Sequence, residues 1–270
     1  MAPARYGETL TRKAKRAILT EMTKATLTRE AKAMEARLAS FGTPRRAAGA
    51  KAYLKSPLRF LGNDTTTLRH EASQWRAEHP DWDLDALCHL TAALWRREVF
   101  ELRIFALVLL VKQAAEFEPR HLDFLERLLR QSHTWALVDE IAPRLVGPLL
   151  ERHPRSVGRI LDRWARDPDF WIRRAALLAL LLPIRRGEGD WHRFEHYADP
   201  LLDDREFFIR KAIGWLLREG AKHQSDRVVA FVEPRAARLS GVTWREATRK
   251  LSERERRRLN AARDLCSARR

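Results

Sequence analysis

The chain has 270 residues, 45% of them hydrophobic, and sets 52 Lys and Arg against 36 Asp and Glu, for a formal charge of +16. With only 11 Gly, 12 Pro and 2 Cys, and no run of roughly 18 uncharged apolar residues, this composition excludes a disordered chain, a disulfide framework and a membrane-spanning protein. The positive charge favours a polyanionic partner, and Met1 to Lys24 contain bases but no apolar signal core, which predicts a cytoplasmic protein.

In chain order, residues 1–25 read as a basic extension whose Arg12-Lys-Ala-Lys-Arg16 is either a phosphate-binding arm or a solvated tail. A single elongated helical domain is expected over 26–252, and a basic tail over 253–270. Apolar residues recur at three- and four-residue spacing, as in Leu122, Leu125, Leu128 and Leu129, and no strict alternation persists. The expected class is all-α, with about a dozen helices. Breaks are predicted at Gly42-Thr43-Pro44, Gly62-Asn63-Asp64, His79-Pro80-Asp81, Gly147-Pro148, His153-Pro154, Asp167-Pro168-Asp169, Gly187 to Asp190, Asp199-Pro200, Asp203-Asp204 and Gly220. Cys88 falls in an apolar helical pattern and is expected in the core.

The segment Asp167-Pro-Asp-Phe-Trp-Ile-Arg-Arg-Ala175 recurs as Asp203-Asp-Arg-Glu-Phe-Phe-Ile-Arg-Lys-Ala212, with a weaker copy at Phe100-Glu-Leu-Arg-Ile-Phe-Ala106. An interval of about 35 residues, with an Asp opening a helix and an Arg near its start, is the pattern of HEAT-like helical pairs stacked into a curved solenoid. Arg103, Arg173 and Arg210 occupy equivalent places and are expected to hydrogen-bond between repeats.

Two constellations carry possible chemistry. His192-Arg-Phe-Glu-His196 matches the H-x-x-E-H pattern of inverted zinc peptidases, but it sits between Gly189 and Pro200, too short a segment for the long active-site helix that pattern needs. No metal site and no cofactor are therefore expected. Trp135 and Asp139 stand one turn apart on a helix predicted from Thr134 through Val146. Alone such a pair is ordinary. Arg174 and Trp215 fall in the next two repeats, however, so stacking would bring all four onto one basic concave face.

These motifs resemble the AlkD-type DNA alkylation repair glycosylases, a HEAT-like family. The resemblance spans roughly residues 45–250 and is carried by Ala52-Tyr-Leu-Lys-Ser-Pro-Leu-Arg-Phe-Leu-Gly62, His133-Thr-Trp-Ala-Leu-Val-Asp-Glu-Ile-Ala142, Phe170-Trp-Ile-Arg-Arg-Ala-Ala176 and Glu206-Phe-Phe-Ile-Arg-Lys-Ala-Ile-Gly-Trp-Leu-Leu-Arg-Glu219. It implies a catalytic carboxylate at Asp139, paired tryptophans at Trp135 and Trp215, phosphate contacts from Arg174 and Arg218 and a DNA contact from Tyr53; Lys211 is expected to bind DNA as well. Thr134 and Ala136 stand where the family has a second tryptophan and an aspartate, and Asp64 where it has a polar amide.

The activity so implied is hydrolysis of the N-glycosidic bond of cationic N3- or N7-alkylated purines in duplex DNA by a monomer, without base flipping and with tolerance of bulky adducts. A cationic purine leaves without a general acid, and a carboxylate beside the sugar stabilises its developing positive charge. Two other readings stay open at this point. The same basic solenoid fits a catalytically silent DNA-structure binder, or a scaffold for protein partners.

Overall fold

The computed structural model describes residues 24–268, all in helices and connecting turns, with one isolated bridge between Arg59 and Val99. The Arg12 to Arg16 cluster lies outside these residues. The all-helical expectation holds: no strand forms among the described residues. No helix among them is long and apolar enough to cross a membrane. Packing divides the described residues into two compact units, one ending at Lys112 and the other beginning at Gln113.

The first unit contains α1 (Lys24–Phe41), α2 (Pro44–Leu54), α3 (Thr65–Glu78), α4 (Leu84–Trp95) and α5 (Phe100–Lys112). Its helix starts follow from the sequence, because short polar side chains satisfy backbone N–H groups that a first turn leaves without partners. Thr43 accepts from the Arg46 N–H with Pro44 at the first helical position, Asp64 accepts from Thr67 at 2.8 Å, and Asp83 accepts from Ala86 at 3.0 Å. Each such cap contributes about 1 kcal/mol. Helix α5 is apolar on nearly every face and packs against both α3 and α4, burying Leu102, Phe105, Leu109 and Leu110. Its buried Glu101 accepts from the N–H groups of Leu61 and Gly62 at 2.9 and 2.7 Å, which pins the loop leading to α3.

The second unit contains α6 (Leu122–Arg130), α7 (Trp135–Ile141), α8 (Gly147–Arg152), α9 (Pro154–Trp164), α10 (Phe170–Leu178), α11 (Leu181–Arg186), α12 (Trp191–Leu201), α13 (Phe207–Gly220), α14 (Ser225–Val232), α15 (Gly241–Thr248) and α16 (Glu253–Ala268). One row of helices, α7, α10, α13 and α15, starts at residues 135, 170, 207 and 241, and each member packs on the next. A second row runs through α9, α12 and α14, joined by a 2.7 Å hydrogen bond from Tyr197 to Asp162 and by the Phe194 and Phe231 rings at 5.2 Å. This is a helical-repeat architecture at the interval the sequence predicts. The same interval separates ion-pair partners: Glu151 meets Arg186, Asp203 meets Arg238 and Asp199 meets Arg235, each at 2.7 Å.

Two predicted breaks do not occur. At Gly147-Pro148 the chain stays helical by widening into a π turn over Ala142–Val146, in which the Gly147 N–H reaches the Ala142 carbonyl. The wider turn accommodates Pro148, which has no N–H to donate. Gly147 is needed here, since a Cβ would lie 2.7 Å from the Ala179 carbonyl oxygen of the adjacent repeat. Pro200 likewise sits inside the last turn of α12. The predicted C-terminal tail is helical over Glu253–Ala268, anchored by fully buried Leu259 and by Arg263 stacked on Trp244 at 4.4 Å. Cys88 is half-buried rather than fully in the core, and burial together with Asp85 and Asp83 pushes its thiol up to about 12.

Candidate active site

Helix α7 is launched by a turn in which His133 adopts a left-handed backbone (φ 52°) and buried Thr134 caps the helix, accepting from the Ala136 N–H. The residue that departs from the family pattern at position 134 is therefore a structural cap. Trp135 and Asp139 follow on one face, both half-buried. The expected helix through Val146 is regular only to Ile141 before the π turn begins.

The centre of the site is an ion pair between two repeats. Arg174, on α10, donates from Nε to Asp139 Oδ1 and from Nη2 to Oδ2, both at 2.8 Å, and its Nη1 donates to the Phe208 carbonyl at the start of α13. The Arg174 side chain is 3% exposed and that of Asp139 is 14% exposed. One guanidinium thus ties α7, α10 and α13 together and fixes the plane of the carboxylate, a geometry that needs the planar fork of arginine. Burial pushes the Asp139 carboxyl above the usual range, and the Arg174 charge and hydrogen bonds oppose that shift. Arg174 also lies 5.8 Å from the Phe208 ring, which packs with Trp171 at 5.1 Å and Phe170 at 6.3 Å. The aromatic residues of the recurring segments, Phe170 and Trp171 in one copy and Phe208 in the next, form this cluster, which borders the ion pair.

A second carboxylate, Glu246, was not among the residues expected from the sequence. Lys211 and Arg218, on α13 with half-buried Trp215 between them, both donate to Glu246 on α15. Burial pushes the Glu246 carboxyl upward, but the Lys211 hydrogen bond and the Arg218, Lys211 and Arg249 charges hold it below the usual range. The one signal in the sequence was the interval, since Glu246 stands a repeat length beyond Lys211. Helices α13 and α15 approach closely at Gly214, where a Cβ would lie 2.7 Å from that of Glu246.

The remaining expected positions divide as follows. Tyr53 belongs to the first unit, 73% exposed at the end of α2, where Lys55 turns the chain with φ 48°. Asp64 caps α3 and pairs with Arg46 at 3.2 Å; the Thr67 N–H holds its carboxyl below the usual range. Among the equivalent arginines, Arg173 bonds across repeats to Asp204 at 3.0 Å. Arg173 also binds the Asp167 and Pro168 carbonyls that precede its own helix, as Arg103 and Arg210 bind those of Trp95 and Asp204. His192 and His196 are exposed, and His196 meets Arg166 at 3.2 Å. No group of three or more metal-ligating side chains forms among the described residues.

Fold and site together define a helical-repeat protein with a carboxylate locked by arginine between repeats. Residues 34–251 match the family described as DNA alkylation repair enzyme, and the chain belongs to that family. No curated protein sequence matches. Among solved structures, a predicted DNA alkylation repair enzyme from Enterococcus faecalis superposes with a TM-score of 0.71 at 24% identity, covering 78% of this chain and 97% of that one. AlkD2 from Streptococcus mutans superposes at 0.52 and 16%, covering 70% and 91%, and smu.31 from Streptococcus mutans UA159 at 0.52 and 16%, covering 69% and 94%. These likenesses establish the fold.

Proposed function

We propose that this chain is a DNA glycosylase that hydrolyses the N-glycosidic bond of cationic N3- or N7-alkylated purines in duplex DNA. The observation that supports this most is the Asp139 carboxylate, buried except for its accessible edge and oriented by Arg174. Alkylation makes the base a cationic leaving group, so no general acid is required. The demand falls on the sugar, which becomes oxocarbenium-like as the bond stretches. A preorganised anion beside it stabilises that charge, and such an interaction commonly contributes about 3 to 4 kcal/mol to the rate. Trp135, one turn from Asp139, supplies an indole whose face attracts positive charge by about 0.5 to 2 kcal/mol. Trp215, Lys211 and Arg218 are assigned to the sugar and the phosphates, and Tyr53, in the first unit, to a DNA contact of its own.

Arg174 takes a different part from the free phosphate clamp that the family resemblance implies. With three of its five N–H groups already committed to Asp139 and Phe208, it acts on DNA mainly through the carboxylate it positions. A second reading is a catalytically silent binder of DNA structure, in which Arg174 neutralises Asp139 and the two form a structural ion pair between repeats. One experiment separates the two: incubation with DNA containing N7-methylguanine and N3-methyladenine, with released base measured against an enzyme-free control. Base release above the control supports the glycosylase; binding without release assigns the silent reading.

A further inference from the structure

We propose that α15, the turn after it and α16 carry a second phosphate-binding surface, formed by Arg245, Arg249, Lys250 and Arg256, which extends the DNA footprint past the segment matched by the family. This rests on the reading that the chain binds duplex DNA. All four side chains are exposed, and none has a carboxylate within ion-pair distance among the described residues. Arg245 on α15 and Arg249, the residue that caps its C-terminus, stand one turn apart. Arg256 lies on α16 two turns before Arg263, which stacks on Trp244 of α15, so the two arginines share a face of that helix.

The patch is both rigid and continuous with the candidate site. Helix α15 is held to α13 by the close approach at Gly214 and by a 3.1 Å hydrogen bond from Thr243 to the Arg210 carbonyl. Helix α16 is held by buried Leu259, by the Arg263 stack and by Arg258 on Glu233. Glu246 is the junction. Its one negative charge faces Lys211, Arg218 and Arg249, so the surface turns from the proposed DNA contacts of α13 to the new patch with positive charge in excess. Exposed arginines on fixed helices suit phosphate oxygens, which they bind bidentately, and each neutralised phosphate releases counterions. The family match ends at residue 251, and Arg256 lies beyond it.

The test uses the full chain and undamaged duplex DNA, with affinity measured by fluorescence anisotropy over a range of salt. The triple variant Arg245→Gln, Arg249→Gln, Arg256→Gln is compared with a charge-matched control, Arg155→Gln, Arg159→Gln, Arg227→Gln, whose residues are exposed on α9 and α14 of the other row. Thermal melts establish that both are folded. The expected result is a slope of log affinity against log salt shallower by about 0.9 for each phosphate that is no longer neutralised, with at least a tenfold loss of affinity at low salt, in the patch variant alone. An unchanged slope, or equal effects in both variants, overturns the patch while leaving DNA binding intact. Loss of affinity for polyglutamate but not for DNA overturns it in favour of an acidic protein partner. If the parent shows no salt-dependent DNA binding, the underlying reading fails as well.

Discussion

Arg174 and Asp139, drawn from helices one repeat apart, meet through two parallel hydrogen bonds of 2.8 Å that engage both carboxylate oxygens. Removing the guanidinium leaves a carboxylate buried without its counter-charge. Arg174→Ala is expected to destabilise the fold by about 3 to 5 kcal/mol and to slow excision. Arg174→Lys keeps the charge but not the fork, so it should recover more stability than activity. Denaturant unfolding and single-turnover rates on the three proteins check this; full activity in the lysine variant would remove the orienting role of Arg174.

Asp139→Asn should slow release of a cationic alkylpurine by about a hundredfold or more, because the amide supplies no anion to the sugar. The structure adds a second consequence, since the amide NH2 replaces an oxygen that accepts from Arg174. Donor then faces donor. A stability loss of about 1 to 3 kcal/mol is therefore expected as well. Rates are best compared well below the melting point of the variant, and an unimpaired Asn variant excludes Asp139 as the catalytic carboxylate.

The pH dependence follows from the direction of each shift. Burial raises the folded-state pKa of Asp139 above its ordinary 3.8, so the acid limb of the excision rate should lie above that value. For stability, a raised carboxyl favours the folded state while protonated, and that contribution is lost as pH rises through the folded value. The stability difference between parent and Asp139→Asn should therefore shrink as pH rises. Glu246 has the opposite sign: its lowered carboxyl stabilises above the ordinary 4.5 and loses that effect as pH falls through the folded value. Urea midpoints taken across this range test both signs.

Glu246→Gln should act on DNA affinity in the reverse sense to most site substitutions. It removes one negative charge from beside Lys211 and Arg218 and leaves both cations available to phosphates. Binding should tighten and its salt dependence should steepen, with stability lower by about 1 kcal/mol. Weaker binding in this variant would show that Glu246 positions the two cations for DNA rather than competing with it.

Much of this molecule was legible in the amino-acid order. The three- and four-residue apolar spacing marked the helices, because a buried stripe needs that period. Thr43, Asp64 and Asp169, each in a predicted break, marked helix starts through local cap geometry. The recurrence of Asp167 to Ala175 at Asp203 to Ala212 disclosed the repeat, and with it which helices would be neighbours. Only tertiary structure decided which groups those neighbours join. The repeat interval places Arg174 beside Asp139 and Lys211 beside Glu246, but whether a cation turns inward to a carboxylate or outward to solvent depends on rotamer and burial set by residues far apart in sequence. The same holds for the helical path through Gly147-Pro148, which is kept by a π turn packed against Ala179, and for α16, which the sequence presents as a basic tail and Trp244 and Leu259 hold as a helix. Periodicity is a local property of the chain; the pairing of charges is settled by which surfaces exclude water once the repeats are stacked.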